Sequence, residues 1–358
     1  MKLSLPIWTI AAPLLAWLLY LLLPGPEQTL ILLLLGGVLI ASVLAAVHHA
    51  EVIAHRVGEP YGTLVLAIAI TIIEVALIVS LMLAGGPETT ALARDTVFAA
   101  IMIILTFIVG LCVFVGGLKF KEQTYGSEGV SAALISVTAI SVLTLVLPNF
   151  TTSVAGPVYS SSQLMFVAIV TLIIYGGFVM IQTGRHRDYF LPPEGVEQED
   201  AHAAPPTKVT ALLSLLLLLV SLGAVVLIAK ALAPGIEETV VNLGAPKSLV
   251  GVIVAFVILL PEGLAALRAA RNNRLQTSLN LALGSALASI GLTIPAVAIV
   301  SIFTGLTITL GIDTKSIVLL VLSLFTIMVS LASGRTNVLQ GIVLLVIFAV
   351  YLFSTIVP

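Results

Sequence analysis

Two acidic residues stand out because each lies in an apolar stretch long enough to cross a membrane. Glu74 is near the middle of the run 58–80, and Glu262 is about fifteen residues into the run that begins at Ser248. A charged carboxylate at the bilayer midplane is costly, so an acidic residue at that depth usually has a function. Because a carboxylate can be neutralised by a proton or by a metal cation, the pair predicts a site where the two compete.

The composition excludes a soluble protein. Of 358 residues, 59% are hydrophobic and 9% are charged, and mean hydropathy is +1.22. A soluble protein carries about 25% charged residues. Apolar segments of membrane-spanning length recur along the chain, which is typical of a helical bundle and not of a barrel with short alternating segments. The sequence therefore indicates an all-α, polytopic integral membrane protein.

The apolar runs predict about eleven transmembrane helices. They cover approximately residues 5–23, 28–50, 60–84, 95–118, 128–148, 162–183, 208–233, 247–270, 275–304, 314–333 and 337–357. The first run resembles a signal peptide in length, but it ends at Pro24-Gly25-Pro26 without a small-residue cleavage site, so we interpret it as a retained helix.

The loops divide the chain and orient it. Residues 1–26 form an extra N-terminal helix, residues 27–184 and 208–358 form two five-helix halves, and residues 185–207 form a polar linker. Eleven of the 15 basic residues fall on the side that bears the N-terminus. These eleven are Lys2, Arg56, Lys119, Lys121, Arg185, Arg187, Lys208, Arg268, Arg271, Arg274 and Arg335. By the positive-inside rule, the N-terminus and the linker are cytoplasmic, and the odd number of spans puts the C-terminus outside.

The two glutamates occupy matching places in the two halves. Glu74 falls in the third predicted span and Glu262 in the eighth, so their helices cross the membrane in opposite directions. A Gly-x-Pro precedes each helix, at Gly58 and at Gly244. This arrangement predicts two inverted-topology repeats, which secondary transporters use to hold a site near the midplane.

Further motifs lie close to the glutamates and in the loops. In the second half they are Pro261-Glu262, Arg271-Asn272-Asn273-Arg274-Leu275, the segment 278–286 and Ser333-Gly334-Arg335-Thr336-Asn337. In the first half they are residues 58–74, Gly116-Gly117-Leu118 and Leu147-Pro148-Asn149. From about residue 30 to residue 358 the chain resembles the cation/calcium antiporter superfamily, on the calcium/proton exchanger branch that includes the bacterial ChaA-type antiporters. The resemblance implies cation/proton exchange in a bacterial inner membrane.

The number of available oxygen ligands narrows the choice of transported ion. Calcium takes six to eight oxygens, and the candidates are Glu74, Glu262, the hydroxyls of Thr71, Ser285 and Ser289, carbonyls near Pro261, and water. Pro261 and Gly263 are expected to break their helix and release a carbonyl one turn earlier. The family's Gly-Asn before each glutamate is replaced here by Ile70-Thr71 and Ile258-Leu259. Calcium is the first choice of ion, and sodium or potassium is the alternative because the missing asparagines weaken a site for a divalent cation.

Other polar groups have plainer explanations. His48, Glu51 and His55 share one helix face; they are either a metal or proton sensor or, more simply, interfacial polar residues. The acidic run 194–200 reads as part of a flexible linker, with calcium-dependent regulation as the alternative. Gln276 and Asn280 suit capping or packing as well as ion contact. Cys112 is alone and is expected to pack in the interior.

Enzymatic function has little support in the sequence. The chain contains no His-Glu-x-x-His and no Walker-type phosphate loop, and neither a cofactor nor a nucleic-acid partner is expected. The remaining candidates are a cation/proton antiporter that exports Ca²⁺ and, less well supported, a cation channel. The expected partners are membrane lipid and the transported cations and protons. The sequence does not determine the oligomeric state, and a homo-oligomer is one alternative.

Overall fold

A computed structural model describes residues 5–22, 29–58, 61–85, 89–191 and 206–357. These residues are almost entirely helical, as expected where hydrocarbon offers backbone groups no partner except each other. The helices are α1 Ile7–Leu22, α2 Thr29–Val57, α3 Tyr61–Gly85, α4 Leu92–Met102, α5 Val109–Phe120, α6 Ser127–Ser141, α7 Ser161–Met180, α8 Lys208–Asn242, α9 Ser248–Arg271, α10 Leu275–Thr304, α11 Thr314–Leu331 and α12 Val338–Ile356.

Ten helical segments in the described ranges are long and apolar enough to cross a membrane. They include the continuous helix Leu92–Phe120, in which α4 and α5 are joined by a wider π-helical turn, Ile103–Ile108. Helix α1, the first of the eleven predicted spans, is apolar but only 16 residues long. The other predicted spans each match an observed helix, with shifted ends.

Contacts group the chain into two compact units, and each is described separately. The first unit comprises Met1–Gly85 and Gln198–Val250, and contains α1, α2, α3 and α8. Helix α2 packs against α1, α3 and α8. The α2–α3 turn is tight, because a Cβ at Gly62 would lie 2.5 Å from the carbonyl oxygen of Ala54.

The second unit comprises Gly86–Glu197 and Gly251–Pro358. Leu92–Phe120 is the most deeply buried of the candidate spans, and α10 packs against α4, α5, α6, α7 and the π turn between α4 and α5. A second π turn, Val142–Val146, follows α6. Such turns are rare and frequently occur at functional sites.

The second unit also contains a short feature that the all-α prediction did not include. Strand β1, Glu122–Thr124, pairs antiparallel with strand β2, Arg335–Asn337, and Gln123 lies opposite Thr336. Side-chain caps start the following helices: Asn337 forms a capping box with Gln340 at α12, and Asp313 accepts a hydrogen bond from the backbone of Ser316 at α11. The acidic run 194–200 lies outside the described residues.

Candidate functional site

In the first unit, Glu74 lies near the middle of α3 and is only 2% exposed. Thr71, three residues earlier on the same helix, is 3% exposed. Its hydroxyl donates to the carbonyl oxygen of Ala67 at 2.9 Å, which leaves the oxygen lone pairs able to face a cation. The helix is continuous from Tyr61 to Gly85. Two of the predicted ligands are therefore buried one turn apart.

In the second unit, Glu262 is 9% exposed and lies within α9 beside the buried Pro261. The predicted helix break is wrong, because α9 runs without interruption from Ser248 to Arg271. A membrane helix can accommodate proline, since neighbouring groups compensate for the missing hydrogen bond. Proline has no N–H, so the carbonyl of Val257, one turn earlier, still lacks its intrahelical donor. The carbonyl thus loses its intrahelical donor, as expected, although the helix does not break.

The π turn between α4 and α5 lies against α9 next to Glu262. A Cβ added at Gly263 would be 3.3 Å from Cδ1 of Ile108, the last residue of that turn. Thr106, in the same turn, is fully buried, and its hydroxyl donates to the carbonyl oxygen of Met102. Hydropathy does not distinguish a π turn from an α-helix, so the sequence did not show this feature.

Helix α10 carries the two serines predicted as ligands. Ser289 is 3% exposed and Ser285 is half-buried. Thr293 follows at the same four-residue spacing, so the three hydroxyls share one helix face. Thr293 is fully buried, and among the described residues its hydroxyl has no hydrogen-bond partner. Sequence reasoning missed Thr293, although its spacing from Ser289 was a usable signal.

Gln276 and Asn280, also on α10, hold loops in place. Gln276 accepts a hydrogen bond from the backbone N–H of Gly126 at 2.7 Å and donates to Asn280 at 3.0 Å. Asn280 in turn donates to the carbonyl oxygen of Phe190 at 2.6 Å. Their amide groups are engaged with protein partners, which favours the packing interpretation over ion contact.

The histidine cluster on α2 does not assemble as a metal site. His48 is half-buried, 6.1 Å from the ring of Trp8 and 5.7 Å from that of His49, whereas Glu51 and His55 are exposed. No group of three His, Cys, Asp or Glu side chains in the described ranges is suited to hold a metal ion. His49, which the sequence did not single out, is fully buried, and its Nε2 lies 3.1 Å from the carbonyl oxygen of Thr9. Cys112 is buried, as expected.

Comparison with known proteins identifies the family. The sequence matches the sodium/calcium exchanger protein family over residues 27–184 and 213–357. The chain belongs to this family. It is therefore a membrane transporter of the cation exchanger class, and the predicted superfamily is confirmed.

Several relatives of this exchanger cover nearly its whole length. It is 45% identical to the protein y4hA of Sinorhizobium fredii over 93% of this chain and 90% of that one. It is 36% identical to the sodium-potassium/proton antiporter ChaA of Escherichia coli over 92% of this chain and 91% of that one. Among solved structures, an H⁺/Ca²⁺ exchanger CAX matches with a TM-score of 0.72 and 17% identity, over 96% of this chain and 86% of that one.

These matches confirm the predicted fold class. The exchanger is a polytopic helical membrane protein of two inverted five-helix repeats and an extra N-terminal helix. The structural likeness, at 17% identity, concerns the fold alone. The assignment of individual ligands remains a prediction from the residues themselves.

Proposed function

We propose that this exchanger is a secondary active antiporter that exports Ca²⁺ from the cytoplasm in return for protons, and that Glu74 and Glu262 are the groups that exchange cation for proton. The supporting observation is that both glutamates are buried in otherwise apolar helices, 2% and 9% exposed. A carboxylate away from water is stable only when it is neutralised. Protons and cations both do this, and a group that takes either one couples their movements.

Neutral oxygen atoms complete the proposed ligand set. Thr71 contributes a hydroxyl oxygen beside Glu74, and the carbonyl freed by Pro261 lies one turn from Glu262. Ser285 and Ser289 contribute hydroxyls from α10. With the two carboxylates and water, this set reaches the six to eight oxygens that Ca²⁺ requires.

The proposed topology orients the exchanger in the membrane, and the proton gradient sets the direction of transport. Residues 27–184 and 208–358 act as the two inverted repeats, residues 1–26 are an added helix, and residues 185–207 join the repeats in the cytoplasm. The distribution of basic residues supports a cytoplasmic N-terminus and an external C-terminus. In a bacterial inner membrane, the inward proton gradient then drives cation export.

Exchange of Na⁺ or K⁺ for protons is the second candidate function. A relative that is 36% identical over 92% of this chain is named a sodium-potassium/proton antiporter. The residues before the glutamates, Ile70-Thr71 and Ile258-Leu259, lack the asparagine oxygens that would favour a divalent ion. The same two glutamates would serve this exchange.

Proton flux in everted membrane vesicles tests the proposal. Vesicles with the exchanger are acidified by respiration, and a pH-sensitive dye reports proton release after addition of Ca²⁺, Na⁺ or K⁺. Release with Ca²⁺ at the lowest concentration supports the first function, and release with Na⁺ or K⁺ alone supports the second. Cation uptake without proton release would indicate a channel and contradict both.

A further inference from the structure

Side chains from the last turn of α5 and from the segment after it bind the cytoplasmic end of α9, the helix that carries Glu262. The side-chain Nε2 of Gln123 donates to the carbonyl oxygen of Ala270 at 3.1 Å and to Oδ1 of Asn273 at 3.0 Å. Lys119 donates to the carbonyl oxygen of Arg271 at 2.9 Å. The last carbonyls of a helix have no intrahelical partner, so these bonds occupy acceptors that would otherwise need water.

Gln123 is itself held firmly. Its side chain is only 2% exposed, and its backbone is part of β1, opposite Thr336 of β2. The amide rests on Gly116 of α5, where an added Cβ would lie 1.7 Å from Oε1 of Gln123. Only glycine at position 116 leaves room for the amide in this orientation. Both hydrogens of Nε2 are thereby directed at α9 and the turn that follows it.

Pro261 makes this anchor more important for Glu262 than for the rest of α9. Because proline donates no hydrogen bond to the preceding turn, the helix is weakest just before Glu262. The part of α9 from Glu262 to Arg271 is bounded by that weak point and by Gln123. Ala270 is eight residues beyond Glu262, about 12 Å along the helix axis. The geometry points to Gln123 as a positioning residue that sets the depth of the Glu262 carboxylate.

The same segment binds two neighbouring helices. The backbone N–H of Gly126 donates to Gln276 near the start of α10 at 2.7 Å, and the hydroxyl of Tyr125 donates to the carbonyl oxygen of Leu331 at the end of α11 at 2.9 Å. Residues 122–126 thus link α9 to α10, which carries Ser285 and Ser289. A change at Gln123 is therefore expected to shift Glu262 relative to its own surroundings in the second unit.

This inference rests on the proposed function, because it requires Glu262 to bind the transported cation. A displaced ligand weakens cation binding, whereas the loss of a purely structural contact reduces the amount of folded protein. Gln123→Ala removes both hydrogen bonds and is expected to raise the apparent KM for the cation at least about fivefold, because a single hydrogen bond already contributes about that much. The maximal rate per folded molecule should change much less.

The test compares full-length variants in proteoliposomes, with initial proton flux measured against the concentration of Ca²⁺, or of Na⁺ if the wild type prefers it. Gln123→Glu keeps the shape of the side chain, but it can donate a hydrogen bond only when it is protonated. The ratio of its KM to the wild-type KM, both measured at the same pH, should therefore fall toward one as the pH is lowered. Gln123→Met, which never donates, should show no such recovery.

Gly116→Ala provides an independent route to the same state, because the added Cβ expels the Gln123 amide. It should raise the KM as Gln123→Ala does, and the double variant should be no worse than Gln123→Ala alone. Gly176→Ala on α7, where a Cβ meets nothing within 4 Å, is the matched control. Wild-type KM values in the Gln123 variants would overturn this inference but would leave the proposed function intact. A wild type that moves no protons with any cation would overturn the proposed function, and this inference with it.

Discussion

Gly263 packs so closely against Ile108 that a side chain at position 263 would have to displace the isoleucine. A Cβ at position 263 would lie 3.3 Å from Cδ1 and 3.4 Å from Cγ1 of Ile108. Ile108 ends the π turn in the most buried helix of the second unit, and Gly263 directly follows Glu262. The close approach therefore brings the residue beside the candidate carboxylate against a rare backbone feature.

Gly263→Val should disturb this contact. The branched side chain overpacks the interface with Ile108, and such changes typically cost about 1–3 kcal/mol of stability. We expect a lower melting temperature in detergent and a weaker apparent affinity for the cation. Gly176→Val, in an open position of the same unit, should affect neither. Unchanged melting and affinity in Gly263→Val would contradict the packing argument.

Glu74→Gln and Glu262→Gln should each abolish exchange. Glutamine keeps the shape and hydrogen bonding of the side chain but cannot bind and release a proton. Each variant should insert and fold normally, while dye-monitored proton flux falls to that of vesicles without the exchanger. Glu128→Gln, at an exposed glutamate in the first turn of α6, should retain full flux. Near-wild-type flux in either buried variant would remove that glutamate from the mechanism.

Trp17 attaches α1 to α8 within the first unit. Its indole N–H donates to the carbonyl oxygen of Val220 at 3.0 Å, and a Cβ at Gly223 would lie 2.8 Å from its ring. Trp17→Phe loses this bond and should lower the free energy of unfolding by about 1 kcal/mol. Thermal unfolding in detergent measures this. Gly223→Ala should also destabilise, and Gly36→Ala, with nothing within 4 Å, should not. Equal melting temperatures of Trp17→Phe and the wild type would argue against this attachment.

Cysteine labelling tests the proposed orientation. Cys112 is 1% exposed and should first be replaced by alanine, leaving a background without thiols. Lys208→Cys, at the exposed start of α8, should be protected from a membrane-impermeant maleimide in intact cells. Val357→Cys, exposed beyond α12, should react. The opposite pattern would contradict the proposed topology.

Coupling through two carboxylates predicts one Ca²⁺ for two protons, with no net charge moved. Such a cycle is insensitive to membrane potential, whereas each uncompensated charge would add about 2.3 kcal/mol per 100 mV. A monovalent cation would displace one proton, so Na⁺ and Ca²⁺ should compete. Reversal potentials in proteoliposomes measure the stoichiometry. Clear voltage dependence of calcium/proton exchange would require a further titrating group, with Glu51 the first to examine.

Much of the architecture could be predicted from the sequence because hydropathy is a local property. A helix in hydrocarbon satisfies its own backbone, so an apolar run is enough to locate it, and the predicted spans match the observed helices. The unusual cost of burying a carboxylate likewise singled out Glu74 and Glu262 without knowledge of their neighbours. The superfamily followed from short motifs around the same residues.

Tertiary structure decided the features that depend on which segments meet. Nothing near Gln123 in the sequence shows that it binds Ala270, because that bond joins residues 147 positions apart. The pairing of β1 with β2, the burial of His49 beneath α1 and the contact of Gly263 with Ile108 have the same origin. The continuity of α9 through Pro261 also depended on the packed protein, because a lost backbone hydrogen bond breaks a helix only where its surroundings do not compensate.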